Sequence, residues 1–317
     1  MDFSAFLNTV ITMFVILIAG YVLGKMEVIS ASASKNLSKL IITIGQPAMI
    51  INALTDKKYS PENLKLALIS SLLALVMHIL MALISYVACI KIKDMNKRKV
   101  TEFAMVFGNI GFLGIPVLGA LFPENGAFVA SYFVVVFNIL LWVIGLGIIA
   151  RKRDDVKLTL KKVLINKGTV PSVLGFLIFM IPAVYPQFTV PSFAAMSFSY
   201  LASLCTPISM LIIGALLSRS KIKWMFSSAK VYYLCLFKLI IIPLIFCVVM
   251  KLLGFSSFWI LFITAISAMP SASSTSMFAE LYDTAPDFSA QCVGTCTLFS
   301  LATMPCIILL AQAVIAL

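Results

Sequence analysis

Charge is scarce in this chain: 11% of its 317 residues are Asp, Glu, Lys or Arg, against about 25% in a soluble domain. So few charges cannot cover a water-facing surface, which excludes an ordinary globular fold. Histidine is scarcer still. The single His78 leaves no HExxH pair for a catalytic zinc, and no GxSxG turn presents a serine nucleophile. The 12 Asp and Glu residues lie at the edges of apolar runs or between them. Exchange of sodium for protons through buried carboxylates therefore lacks its usual groups. The chain reads as a non-enzyme that needs neither cofactor nor metal. Its seven cysteines are odd in number and fall in no metal or redox spacing. They read as small apolar residues, with no disulfide framework.

What is present is apolar: 62% of residues are hydrophobic, so lipid is the expected solvent. A helix needs about 20 apolar residues to cross the hydrocarbon. Runs of that kind fall near 4–24, 36–55, 66–90, 103–122, 127–150, 171–186, 192–217, 231–253, 258–282 and 288–316. Ten spans are expected, the sixth short and ended by proline. The first run follows no basic segment and no small-residue cleavage pattern, and is expected to be a span rather than a leader. The formal charge of +12 does not point to nucleic acid, because its distribution has a topological cause. The connections at 25–39, 91–99, 151–167 and 219–230 hold nineteen of the 24 Lys and Arg residues. Basic connections stay on the cytoplasmic side, which puts both termini outside.

Division at the basic linker 151–170 leaves five spans in 1–150 and five in 171–317, so the two halves face opposite ways. Matching residues support that division. Pro47 and Pro207 are 160 positions apart, as are His78 and Lys238, and Pro116 and Pro270 are 154 apart. Weak internal symmetry of this kind is expected of transporters built from inverted repeats. Proline removes an amide donor and disturbs the preceding turn, which hydrocarbon tolerates only where protein or water meets the freed carbonyl. Helix breaks at Pro47, Pro116, Pro207 and Pro270 are therefore expected to face inward.

The fourth run, FGNIGFLGIPVLGALF, gathers Gly108, Gly111 and Pro116 around Asn109; the ninth follows Pro270 with Ser271, Ser273, Ser274 and Thr275. Small residues also permit close helix packing. Two such interruptions in corresponding positions instead favour a substrate site. Half-helix N-termini meeting within the membrane present unpaired amides and positive dipole ends, which suit an anion. Asn109 is the first candidate ligand, with the hydroxyls after Pro270 beside it and Gln46, Asn52, Asn138, Thr206 and Ser209 as further polar groups. Lys238 lies about 12 Å inward from a basic loop, at 1.5 Å per residue. It is either a counter-charge or a lysine snorkelling towards the headgroups. His78 is a candidate for proton coupling or a packed core residue.

At these two stretches the chain resembles the auxin efflux carrier family. GNIGFLGIPVLGALF is similar to that family's fourth-helix crossover. AMPSASSTSMFAELYDTAPDFSAQCVGTCTLFSLATMPCIILL is similar to its ninth and tenth helices. The resemblance implies a compact bacterial member in the cell inner membrane, with a scaffold and a mobile transport domain, crossed fourth and ninth helices and a homodimer. It also implies a carboxylate substrate such as malate, malonate or lactate, moved by an elevator-like alternation. Plant relatives carry acidic residues in the third helix where this chain has only His78, so proton coupling by a buried carboxylate does not transfer. Proton or sodium coupling stays open. A sodium-coupled symporter of bile-acid-carrier type and a non-transporting receptor are the alternatives.

Overall fold

The computed structural model describes residues 2–152, 165–166, 168–219 and 225–316. Most of the basic linker expected at 151–170 lies outside them. Within them the chain is all-helical, without strands. In order come α1 (Phe3–Lys25), α2 (Ala31–Thr55), α3 (Pro61–Ala88), α4 (Met95–Val106), α5 (Ile110–Leu121), α6 (Gly126–Ala150) and α7 (Thr169–Val184). Then follow α8 (Ser192–Ser203), α9 (Cys205–Arg219), α10 (Ala229–Leu252), α11 (Ser257–Ser267), α12 (Ser274–Leu281) and α13 (Pro286–Ala316). Among the described residues, seven helical stretches are long and apolar enough to cross a bilayer, with α8 and α9 taken together as Ser192–Arg219; α5, α7 and α11 are apolar but shorter. The protein is a multi-pass membrane protein by this measure.

Helix starts follow local chemistry. Asp2, Ser30 and Asp94 cap α1, α2 and α4 by accepting from backbone amides two or three residues on, which satisfies donors that an opening turn leaves orphaned. Prolines inside the helices act differently from the sequence expectation. Pro47 and Pro116 lie within continuous helix, each two residues after a π turn (Ile41–Gly45 and Ile110–Gly114), and Pro243 follows a third at Phe237–Ile241. Widening the turn gives room where a proline has no amide to donate, so these positions bulge the helix without breaking it. Pro207 lies just after a one-residue turn at Leu204 that separates α8 from α9.

Two compact units divide the chain, and each draws on both sequence halves. Counting described residues only, one unit comprises 2–76, 111–143, 165–166 and 168–219. Its principal packing joins α1 to α9. A Cβ at Gly214 would fall 2.0 Å from the Leu17 carbonyl oxygen and one at Gly20 2.4 Å from that of Leu211. Only glycine permits that approach, and Gly20 and Gly24 give α1 the small-xxx-small face that membrane helices pack through.

The second unit, counted in the same way, comprises 77–110, 144–152 and 225–316. Here α10, α11 and α13 pack together, and α4 packs on α13. Glu102 on α4 is buried and receives Arg98 Nε at 2.7 Å and both Arg151 terminal nitrogens at 3.0 and 2.7 Å. Both guanidinium groups lie 5.1 Å from the centre of the Tyr86 ring. Beside them the Lys99 ammonium donates to the Ile149 carbonyl at 2.9 Å. These charges are thus paired or hydrogen-bonded where they leave water, and the chain just after α6 is tied to α4.

Candidate functional site

Two helices of the second unit stop short, for legible reasons. After α4 comes Phe107-Gly108-Asn109, where Gly108 has the poorest helix propensity after proline and Phe107 adopts an extended conformation. After α11 comes Met269-Pro270, and a residue before proline is pushed out of the helical region. The two irregular segments run antiparallel and bond to each other. Asn109 N–H donates to the Pro270 carbonyl at 2.7 Å, and Ala272 N–H donates to the Phe107 carbonyl at 2.9 Å. Gly108 and Ser271 form the bridge between them. The Ser271 hydroxyl adds a bond at 3.0 Å to the carbonyl of Ala104 in the last turn of α4, where helical carbonyls lose their own donors. Each break meets needs the other creates, as non-helical backbone must when it leaves water.

Lys238 stands at this crossing. It sits in the π turn of α10 and is fully buried, and a Cβ on Gly108 would lie 3.2 Å from its ammonium nitrogen. A snorkelling lysine would extend towards the surface; this one is turned into the unit. Glycine at 108 is what lets the ammonium approach the backbone. Asn109 is buried at 4% exposure, with its main chain engaged as described. The first turn of α12 adds Ser274 and Thr275, whose buried hydroxyl oxygens have no hydrogen-bond partner among the described residues, while Ser273 is exposed. His78 is buried behind the crossing, its ring centre 6.0 Å from that of Phe107.

The structure therefore brings Gly108, Asn109, Pro270, Ser271 and Lys238 together. Gln46, Pro47, Asn52, Gly111, Pro116, Asn138, Thr206, Pro207 and Ser209 belong to the first unit. There the Thr206 hydroxyl donates at 2.9 Å to the carbonyl of Phe112, the group that Pro116, four residues on, leaves without its α-helical donor. Asn138 is buried against Gly168, where an added Cβ would lie 2.4 Å from the side-chain carbon, and its amide nitrogen has no partner among the described residues. Ser209 is buried, whereas Gln46 and Asn52 are half-buried.

Sequence reasoning missed two groups. Cys235, three residues before Lys238 on α10, meets Cys296 with sulfurs 3.3 Å apart; that three-residue step was the available signal. The Glu102 ion cluster was signalled by the four-residue step from Arg98, while Arg151 arrives from a distant part of the chain. Among the described residues no cluster of His, Cys, Asp and Glu has the arrangement of a metal site.

A family model described as membrane transport protein matches residues 5–308. An uncharacterized transporter of Methanocaldococcus jannaschii is 26% identical over 303 residues, covering 93% of this chain and 95% of that relative. Because the match takes in both interrupted segments and nearly all of the chain, this protein belongs to the membrane transport protein family, the auxin efflux carriers that its crossover stretches resemble.

Proposed function

We propose that the protein is a secondary transporter for a small organic anion, a mono- or dicarboxylate, working by elevator-like alternating access. The observation that carries this reading is the Gly108–Ser271 crossing with the Lys238 ammonium against it. The Asn109 and Ala272 amides are taken up across the crossing, so the attraction for an anion comes from the partial positive charge at the N-terminal end of α12 and from side chains. At this site Ser273, just before α12, and Ser274 and Thr275 in its first turn add hydroxyls, Asn109 adds an amide, and Lys238 adds its amine. The set is rich in donors, contains no carboxylate, and suits an acid group.

Ten spans in two inverted repeats remain the topology we propose. Two of the stretches that fall short of membrane length do so because the crossing divides them: α4 with α5 covers Met95–Leu121, and α11 with α12 covers Ser257–Leu281. Each pair, taken across its break, is long enough to span. A location in a bacterial inner membrane with both termini outside, and assembly as a homodimer, complete the proposal. Purified protein in proteoliposomes, tested for uptake and counterflow with a panel of mono- and dicarboxylates under separate sodium and proton gradients, checks it. Saturable exchange of at least one carboxylate is expected. Failure of every anion to move, with folded protein in the membrane, would overturn the reading.

A further inference from the structure

Two thiols near the crossing are not used in the transport reading above. Cys235 lies on α10 almost one turn before Lys238, and Cys296 lies on α13. Both are buried, and their sulfurs are 3.3 Å apart. Three residues after Cys235 on α10 comes Lys238, whose ammonium lies against Gly108, so the pair lies next to a residue of the crossing. We infer that Cys235 and Cys296 are an oxidisable dithiol, and that their disulfide, formed by reaction with a small hydroperoxide, locks the crossing.

The geometry is close to what the bond needs. A disulfide has a length of about 2.05 Å, and α10 already packs on α13, so an approach of roughly 1.3 Å closes the gap. The reacting species is a thiolate, which away from water needs a basic group to hold its proton, and the Lys238 amine, three residues after Cys235, is the basic side chain on that helix. The Cys296 thiolate attacks one peroxide oxygen; the O–O bond breaks and the departing hydroxide takes up the thiol proton as water. Cys296 is then a sulfenic acid. The Cys235 sulfur attacks it, the S–S bond forms, and the sulfenic oxygen leaves with the second thiol proton as another water. Two thiols have lost two electrons, and one hydrogen peroxide has become two waters. A thiol reductant reverses the change by exchange. In the oxidised form α10, which carries Lys238, is covalently tied to α13, so the ammonium cannot shift against the crossing. The effect on flux rests on the transport reading above; the formation of the bond does not.

The test uses the full-length protein in proteoliposomes, with Lys93→Cys added as an exposed reporter thiol. Hydrogen peroxide treatment is followed by maleimide blocking, reduction, a second maleimide label and peptide mass spectrometry. Cys235 and Cys296 are expected to acquire the second label together, and neither should do so in C235S or C296S. Lys238→Met should slow bond formation by roughly tenfold. The inference falls if both thiols stay free while the reporter oxidises, or if Cys296 pairs with Cys292, the buried thiol four residues away on α13. Carboxylate flux should drop by roughly tenfold on oxidation, recover with dithiothreitol, and be insensitive to peroxide in C235S. A disulfide that leaves flux unchanged overturns the lock. Absence of flux from untreated protein counts against the transport reading alone, because the labelling result is read independently.

Discussion

At Gly108 a single methyl group is enough to test the site. It would meet the Lys238 ammonium at 3.2 Å, tighter than ordinary contact, and the Met269 side chain and carbonyl at 3.4 Å, so the flexible lysine end must retreat. Gly108→Ala is expected to insert and fold but to lose about tenfold in carboxylate flux, the scale of loss that a misplaced charge produces. Uptake into proteoliposomes at matched protein content measures this. Lys238→Met keeps the length of the stem and removes the charge. It should weaken anion affinity by roughly tenfold or more, as loss of a charge-assisted hydrogen bond does. Unchanged affinity would remove Lys238 from the site and leave it a structural role in the packing of α10. Asn109→Ala and Pro270→Ala should likewise insert and lose most flux. Wild-type rates from both would mean that the crossing is architecture and that substrate binds elsewhere.

Elements divide into those visible in the pattern of apolar residues and those that tertiary context decides. The runs expected at 4–24 and 231–253 correspond to α1 at Phe3–Lys25 and α10 at Ala229–Leu252, because continuous hydropathy is a local property that long helices share. The interruption in the fourth run was harder to locate. It falls at Phe107–Asn109 and not at Pro116, since a π turn and the Thr206 hydroxyl together let the helix carry that proline. Nothing local to Pro116 reveals that a donor arrives from ninety residues away. That arrangement gives a test at the element scale. Thr206→Val removes the donor to Phe112 and should lower stability by about 1 kcal/mol; Pro116→Ala restores an amide four residues after that carbonyl. The double variant should therefore lose less than the sum of the two singles, with a coupling of about 0.5–1 kcal/mol. Denaturation of the four proteins in one detergent measures it, and strict additivity would show that Thr206 does not compensate for Pro116.

On the scale of the whole molecule, sequence order and compactness part company. The proposed repeats are consecutive halves, yet each compact unit takes segments from both, because contacts between distant helices leave no local mark in the chain. The crossing at Gly108 and Ser271, 163 positions apart in numbering, is such a contact. Topology is the property that ties these descriptions together, and it is testable without knowledge of substrate. Nineteen of the 24 basic residues fall in alternate connections, and retention of those loops in the cytoplasm puts both ends of a ten-span chain outside. A reporter active only outside the cytoplasm should therefore work when fused at either end, and one placed in the 91–99 or 219–230 connection should not. Both termini inside would preserve an even number of spans but reverse the charge argument. Termini on opposite sides would make the number odd, and two oppositely facing five-span halves could then not exist. The short α7 is where such a failure would originate, since it is shorter than a typical spanning helix and carries Pro182 inside it. A second reporter in the loop between α7 and α8 separates the cases: activity there while the 151–170 linker stays cytoplasmic requires α7 to cross, and its absence removes the sixth span.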